Sequence, residues 1–202
     1  MTSTRRLTAR GALRRNELIT AATELFATKG YHPTSVSEIV STIGVGKGVF
    51  YWYFESKEQL FMEVLKAAQH DIRRRQNEAI DRGADPLQQI SAAIKASVHW
   101  AAEHKSLVTL FEFAATDANF ARLIQVGRSQ LARDAMVPLG RAVASGQIAL
   151  GEPEQLAHAI LGVTTNLVTV YIYQRGADPS DIANLAADFC LRGIGAREIN
   201  PV

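Results

Sequence analysis

Two short amphipathic stretches, separated by only Gly44-Val45-Gly46, constrain this chain more than any other feature. Val36, Ile39, Val40 and Ile43 recur at helical spacing before the glycines, and a second stretch runs from Lys47 to Tyr53 after them. Such spacing puts the apolar side chains of each helix on one face. Ser35 and Glu38 stand in the S-x-x-E relation of a capping box, which opens the first of the pair. Ile39, Val40, Ile43, Val45, Phe50 and Phe54 are the apolar residues that would hold the two helices at an angle. Two short amphipathic helices joined by a tight turn form a helix-turn-helix. In that unit the second helix enters the major groove of DNA and the first crosses the backbone.

The rest of the chain has the same period. Strict alternation of apolar and polar residues is absent, so the expected fold class is all-α, with about nine helices. A first helix is expected from about Leu13 to Lys29, ended by Gly30 and followed by a turn at Tyr31-His32-Pro33. Ser56, with Gln59 three residues on, opens a helix that runs to about Ala79. Asp85-Pro86 reads as an N-cap and a first-turn proline, and marks the best boundary. Further helices are expected at about 86–104, 106–115, 118–146, 153–175 and 179–194, the third kinked at Pro138. The expected organisation is a flexible basic arm over 1–12, a helix-turn-helix domain over 13–55, a connecting helix over 56–80, and a helical body over 81–202.

Composition narrows the class further. Of 202 residues 47% are hydrophobic and 21% charged, which fits a globular chain and excludes a disordered one. The single cysteine, Cys190, can form no internal disulfide and reads as a packing thiol. A cytoplasmic setting is expected, because a signal peptide is not evident and the longest apolar run, 157–173, is interrupted by His158, Asn166 and threonines. The net charge of +2 hides an asymmetry, since Arg5, Arg6, Arg10, Arg14 and Arg15 crowd the start of the chain. A basic arm is an electrostatic footprint for phosphate, and equally a solubilising tail.

Phe50-Tyr51-Trp52-Tyr53-Phe54 puts five aromatics in a row on a helix of two turns. Only about half of them can face a small core. Phe50 and Phe54 are four apart and are assigned to that core. Tyr51 and Trp52 then point elsewhere, where a hydroxyl can donate to phosphate and a ring can lie against a thymine methyl. A fully packed aromatic cluster is the competing reading. Lys47 starts the same helix, where groove-facing residues gather. Lys57 lies in the first turn of the next helix, where a cation opposes the helix dipole. A phosphate between it and the helix N-terminus would remove that conflict.

At this point the residues resemble a known family. Ala21-Ala22-x-x-Leu25-Phe26-x-x-x-Gly30-Tyr31, Thr34-Ser35-Val36-x-Glu38-Ile39, Gly44 through Phe54, and Ser56-Lys57-Glu58-x-Leu60 together look like the N-terminal domain of TetR/AcrR-type regulators. The resemblance implies an operator-binding, usually dimeric, usually repressing protein. Residue by residue, it implies base contacts from Lys47, Gly48 and Val49 and phosphate contacts from Tyr51, Tyr53 and Lys57. It further places Thr34 and Ser35 at the start of the second helix and Ser37 towards the groove. Gly46 departs from the pattern, which often has Ser or Thr there. Val49 departs mildly, being unable to donate a hydrogen bond.

In such a family the C-terminal body carries the effector pocket and the dimer interface. The last two helices are the expected dimerisation pair, with Ala159, Gly162, Val163 and Leu167 on one and Leu185 and Phe189 on the other. The competing reading is that these stripes complete the monomer core. Candidate walls and polar contacts of a pocket are His99, Trp100, Phe111, Glu112, Phe113, Thr116, Phe120 and Asn166, and a buried Glu112 would favour a cationic ligand. The five histidines show no metal-ligand spacing, so neither metal nor cofactor is expected. The expected function is a ligand-responsive repressor that binds a palindromic DNA operator as a homodimer and is released by a small molecule. The alternatives are a ligand-independent DNA-binding protein and, from another class, an enzyme using a cleft in the body. Against the enzyme, no nucleophile–base or metal motif is present.

Overall fold

The computed structural model describes residues 8–149 and 151–196, and among them nine α-helices. They are α1 (Ala9–Lys29), α2 (Val36–Thr42), α3 (Lys47–Tyr53), α4 (Lys57–Ala79), α5 (Pro86–Glu103), α6 (Lys105–Thr116), α7 (Ala121–Ala144), α8 (Pro153–Leu167) and α9 (Pro179–Gly193). The chain is all-α. Its only β-type pairing among the described residues is an isolated bridge, Ile148 to Ala196.

Local chemistry accounts for most of the helix boundaries. Asp85 and Asp178 each accept a backbone N–H of the helix they open, and a proline follows each at the first helical position. Gly30 closes α1 at φ 88°, a backbone state that side chains with a Cβ disfavour. The N-terminus differs from expectation. Helix α1 begins at Ala9, not near Leu13, because Thr8 accepts from the Gly11 amide and caps it. Residues 9–12 are therefore helix and not arm, while Arg5 and Arg6 lie outside the described residues. Helix α7 runs unbroken past Pro138. Beyond Leu167 the helix expected to reach 175 continues as a π-helical segment, Val168–Gln174.

The chain divides into two units. The first contains residues Met1–Ala68 and Ser106–Ile124, the second Gln69–Lys105 and Gln125–Val202. The segment 106–124 thus groups with the N-terminal helices, whereas the sequence reading put all of 81–202 in one body. The cause is aromatic packing. The Phe113 ring stacks on Tyr31 at 5.7 Å, and Phe120 meets Phe61 edge-on at 4.9 Å. Together with Phe26, Leu18, Leu60 and Leu65 these residues form the core of the first unit.

In the second unit, α5 packs along α9, and α8 packs on both. Its core includes Ile94, Val98, Leu139, Ile160, Ile182, Ala186 and Cys190. Burial pushes the Cys190 thiol pKa up, which keeps it protonated. Gln89 is buried but satisfied: its amide donates to the carbonyls of Asp81, Arg82 and Ala84, and its own carbonyl accepts from Arg141. That pins the turn ahead of α5. Pro153–Gln174 is long and apolar enough to cross a membrane by length and composition, since averaging absorbs the polar residues that interrupt it. It packs on α5 and α9 within this unit.

Candidate nucleic-acid interface

The helix-turn-helix is assembled by α2, Gly44-Val45-Gly46 and α3. The capping box forms in full. Ser35 Oγ accepts from the Glu38 amide at 3.2 Å, and the Glu38 carboxylate accepts from the Ser35 amide at 2.8 Å. The Lys29 ammonium, 2.8 Å away, donates to the same carboxylate. The Lys29 hydrogen bond, followed by those from Ser35, lowers the Glu38 pKa to about 2. Gly44 ends α2 in the left-handed region at φ 67°. The Val45 amide then bonds back to the Val40 carbonyl at 3.0 Å, which tightens the turn. Gly46 caps α3 with no side-chain hydrogen bond.

The aromatic run divides across α3. Phe50 and Phe54 are 0% and 1% exposed, and Tyr51 and Trp52 are 58% and 62% exposed. Tyr53 is half-buried against the first unit's core. Lys47 and Gly48 are also exposed, and Val49 is half-buried. Lys47 with Tyr51, and Gly48 with Trp52, are spaced i, i+4. These four residues therefore share one outward strip of α3. Ser37 is exposed on α2. Such a strip combines a cation, a phenol, an indole and a bare backbone, which suits both phosphate and base edges.

Of the remaining residues of the expected interface, Ser35 is exposed, and Thr34 and Lys57 turn inward. Thr34 is buried, and its hydroxyl donates to the Gly30 carbonyl at 2.8 Å. The Lys57 ammonium donates to the carbonyls of Tyr31 and Thr34, each at 3.0 Å, and of His32 at 3.4 Å. It also lies 4.3 Å from the centre of the Tyr31 ring. A cation in the first turn of α4 is thus balanced within the protein.

Tyr31 is the residue that sequence reasoning undervalued. It was read as part of a turn, yet its ring packs against Phe26, Phe61, Phe113 and Phe120. Its hydroxyl donates to Glu58 at 2.9 Å. That bond and burial hold the phenol pKa well above its usual value, with burial the larger cause. Its place directly after the helix-ending Gly30 was the available signal.

The expected pocket residues are distributed over both units. Phe111, Glu112, Phe113, Thr116 and Phe120 belong to the first, and His99, Trp100 and Asn166 to the second. Glu112 and Thr116 are exposed, so the condition that would favour a cationic ligand is not met at Glu112. Trp100 is buried, and its indole N–H donates to Asp71 at 2.8 Å. A surface groove on α4, lined by His70, Arg73, Arg74, Asn77 and Glu78, includes none of these residues. Of the expected dimer residues, Ala159, Gly162, Leu185 and Phe189 are exposed. Val163 and Leu167 are half-buried against the second unit's core.

Residues 18–64 match the family described as bacterial regulatory proteins, tetR family. That N-terminal segment is of the TetR family. Along nearly its whole length the chain is similar to YhgD of Bacillus subtilis, an HTH-type transcriptional regulator, at 24% identity over 186 residues, 91% of this chain and 97% of that protein. Over 83 residues it is 35% identical to the transcriptional activator FasR of Mycolicibacterium smegmatis, 41% of this chain and 38% of that protein. Over 94 residues it is 34% identical to the repressor KstR2 of the same organism, 46% of this chain and 45% of that protein. Both of these more identical stretches span less than half of the relative.

Among solved structures, a TetR-family regulatory protein from Rhodococcus RHA1 shares the fold at TM-score 0.76 and 21% identity, covering 95% of this chain and 100% of that one. A TetR-family regulator from Syntrophomonas wolfei does so at TM-score 0.77 and 19% identity, covering 94% and 99%. As a TetR-family transcriptional regulator the chain binds DNA, and its helix-turn-helix is the matched segment.

Proposed function

We propose that this TetR-family protein is a ligand-responsive repressor that binds a palindromic operator as a homodimer. The observation that carries the dimer is the outer face of α8 and α9. Leu185 and Phe189 are 46% and 58% exposed and one helical turn apart on α9. Ala159 and Gly162, also exposed, keep α8 small enough for close approach. Only 22% of the most apolar stretch within Pro153–Gln174 is buried in a single chain. An apolar face of this kind suits a self-complementary two-fold contact. Val163 and Leu167 would support that contact from beneath.

A two-fold dimer presents two reading helices to two half-sites, which calls for a palindrome. Lys47, Gly48, Val49, Tyr51, Trp52, Tyr53 and Ser37 are the proposed reading and anchoring residues, with Ser35 exposed at the start of α2. A small molecule held by the body would release DNA by binding one dimer geometry better than the other. KstR2 is a repressor by name and FasR an activator, so the regulatory sign is carried by the family habit and not by those relatives. The protein would act in the cytoplasm, where its operator lies.

One observation favours a second reading, a regulator without an effector. Trp100, Phe113 and Phe120, expected to wall a pocket, are committed to packing and hydrogen bonds inside their own units. The test is selection of bound DNA from a random pool, followed by melting-shift screening and operator gel shifts with small molecules. Selection of a palindrome bound by two chains supports the dimer. Absence of any preferred sequence overturns specific recognition, and an operator complex insensitive to every binding compound favours the second reading.

A further inference from the structure

We infer that Lys57 is a positioning residue for DNA binding: it acts through the turn between α1 and α2 and not by touching phosphate. An ammonium has three hydrogens to donate. Here three backbone carbonyls accept them, those of Tyr31, His32 and Thr34. The ammonium also lies 4.3 Å from the centre of the Tyr31 ring. The charge of Lys57 is therefore spent on dipoles inside the protein. A phosphate would have to displace these bonds and leave the turn carbonyls without a partner, which is costly where they are partly buried.

What these carbonyls belong to gives the contact its consequence. Thr34 directly precedes Ser35, the N-cap of α2. Fixing the carbonyls of 31, 32 and 34 therefore fixes where α2 starts and how it points. The neighbouring residue works from the other side, since Glu58 accepts the Tyr31 hydroxyl at 2.9 Å. The burial and hydrogen bonding of Thr34 itself hold the same turn to the end of α1. The first two residues of α4 thus clamp Tyr31 by its carbonyl, its ring face and its hydroxyl. The ring is seated among Phe26, Phe61, Phe113 and Phe120, so the clamp has a rigid anvil. Helix α2 packs on α3, and so the clamp also sets the carriage of the reading helix.

A phosphate contact and a positioning contact differ in their salt dependence. Each phosphate neutralised by a lysine contributes about 0.9 to the slope of log affinity against log salt. A residue that only orients the helix lowers affinity and leaves that slope alone. The experiment uses the full chain and an operator selected by the wild type. Lys57→Met keeps the stem and removes the ammonium. It is expected to bind about tenfold more weakly, the size of one lost set of charge-assisted hydrogen bonds, with the wild-type salt slope. Lys57→Arg keeps the charge, but a planar guanidinium cannot aim at three converging carbonyls. It is expected to stay weak, again with the wild-type slope. Tyr31→Phe, which loses only the bond to Glu58, is expected to show a smaller loss at the same slope.

A slope reduced by about 0.9 in Lys57→Met overturns the inference in favour of a phosphate contact. So does full rescue by Lys57→Arg, or unchanged affinity in Lys57→Met. If Lys57→Met does not fold, affinity and slope are read on Lys57→Arg. Weak binding at the wild-type slope then supports positioning, and wild-type affinity sinks it.

Discussion

Among the surfaces that leave large apolar side chains in water, those of α3 and α9 differ in what the side chains carry. On α3, Tyr51 and Trp52 each have a polar tip, and Lys47 and Gly48 share their strip. On α9, Leu185 and Phe189 have none, and the small residues Ala159 and Gly162 are exposed on α8. Rings with a hydrogen-bonding tip beside a cation fit a polyanion whose grooves also expose methyl groups. Bare apolar side chains beside small residues fit another protein face, where close approach counts. Where apolar side chains cluster in water, the polar atoms around them mark which kind of partner fits.

Charging the α9 face is expected to have the largest effect. Phe189→Glu introduces the carboxylate twice in a two-fold interface, once from each chain. An aromatic anchor at the centre of an interface is worth about 2 kcal/mol or more, so dissociation is expected to rise by at least about 30-fold per chain. Sedimentation should then show monomers, with operator binding lost in parallel and α-helical content kept. A dimer that survives Phe189→Glu would place self-association elsewhere and leave the α9 face without a partner.

The next test separates the aromatics of α3. Phe50→Ala removes a fully buried ring and is expected to cost about 3–5 kcal/mol of stability, a large share of a typical domain's total. Tyr51→Ala is expected to change stability by only about 0.5 kcal/mol, while weakening operator binding by about tenfold. Thermal melts and gel shifts on the two variants give the cross-comparison. If Tyr51→Ala melts like Phe50→Ala, the run is one packed cluster and α3 has no reading strip.

The capping box at the start of α2 gives a smaller effect. Ser35→Ala is expected to cost about 1 kcal/mol. Its acid dependence follows from Glu38, whose folded pKa of about 2 lies below the ordinary 4.5. A lowered carboxylate pKa means that the stabilisation is fully present above 4.5. It is lost as pH falls from there through about 2. Melting temperature against pH for wild type and Glu38→Gln checks this. The two curves should converge in acid, and parallel curves would refute the role of the carboxylate.

How much of this was legible beforehand depended on whether the information is local. The capping box, the glycine turn and the split of Phe50 and Phe54 from Tyr51 and Trp52 follow from spacing along a few residues, and the structure shows all three. The start of α1 was misplaced because Thr8, five residues before the expected start at Leu13, is an ordinary threonine in a basic stretch until its hydroxyl accepts the Gly11 amide. The grouping of 106–124 with the N-terminal helices was not legible. It depends on Phe113 and Phe120 meeting Tyr31, about 80 or more positions away in sequence, and no local pattern encodes such pairings. The fate of Lys57 was half legible. Its conflict with the helix dipole was plain, but the carbonyls that resolve it lie in a turn 23–26 residues earlier. Apolar stripes on α8 and α9 had the same ambiguity, since periodicity cannot tell a buried neighbour from an absent one. Ile160, Ile182 and Cys190 went to the core and Leu185 and Phe189 to the surface.

The smallest effect tests the reading strip from the side of order. Gly46 begins α3 in an extended conformation, φ −83° and ψ 159°, with no side chain to cap it. A Cβ there would meet nothing within 4 Å, so serine fits without strain. Gly46→Ser supplies the missing oxygen for the free amides of the first turn and is expected to add a few tenths of a kcal/mol. Slower amide exchange across 47–53 would register it. Operator affinity should rise by up to about twofold, because a helix already ordered has less entropy to lose on binding. Unchanged exchange would mean that the burial of Phe50 and Phe54 alone holds α3 in register, leaving the cap with nothing to add. The strip of Lys47, Gly48, Tyr51 and Trp52 would then be as rigid before DNA arrives as the core beneath it.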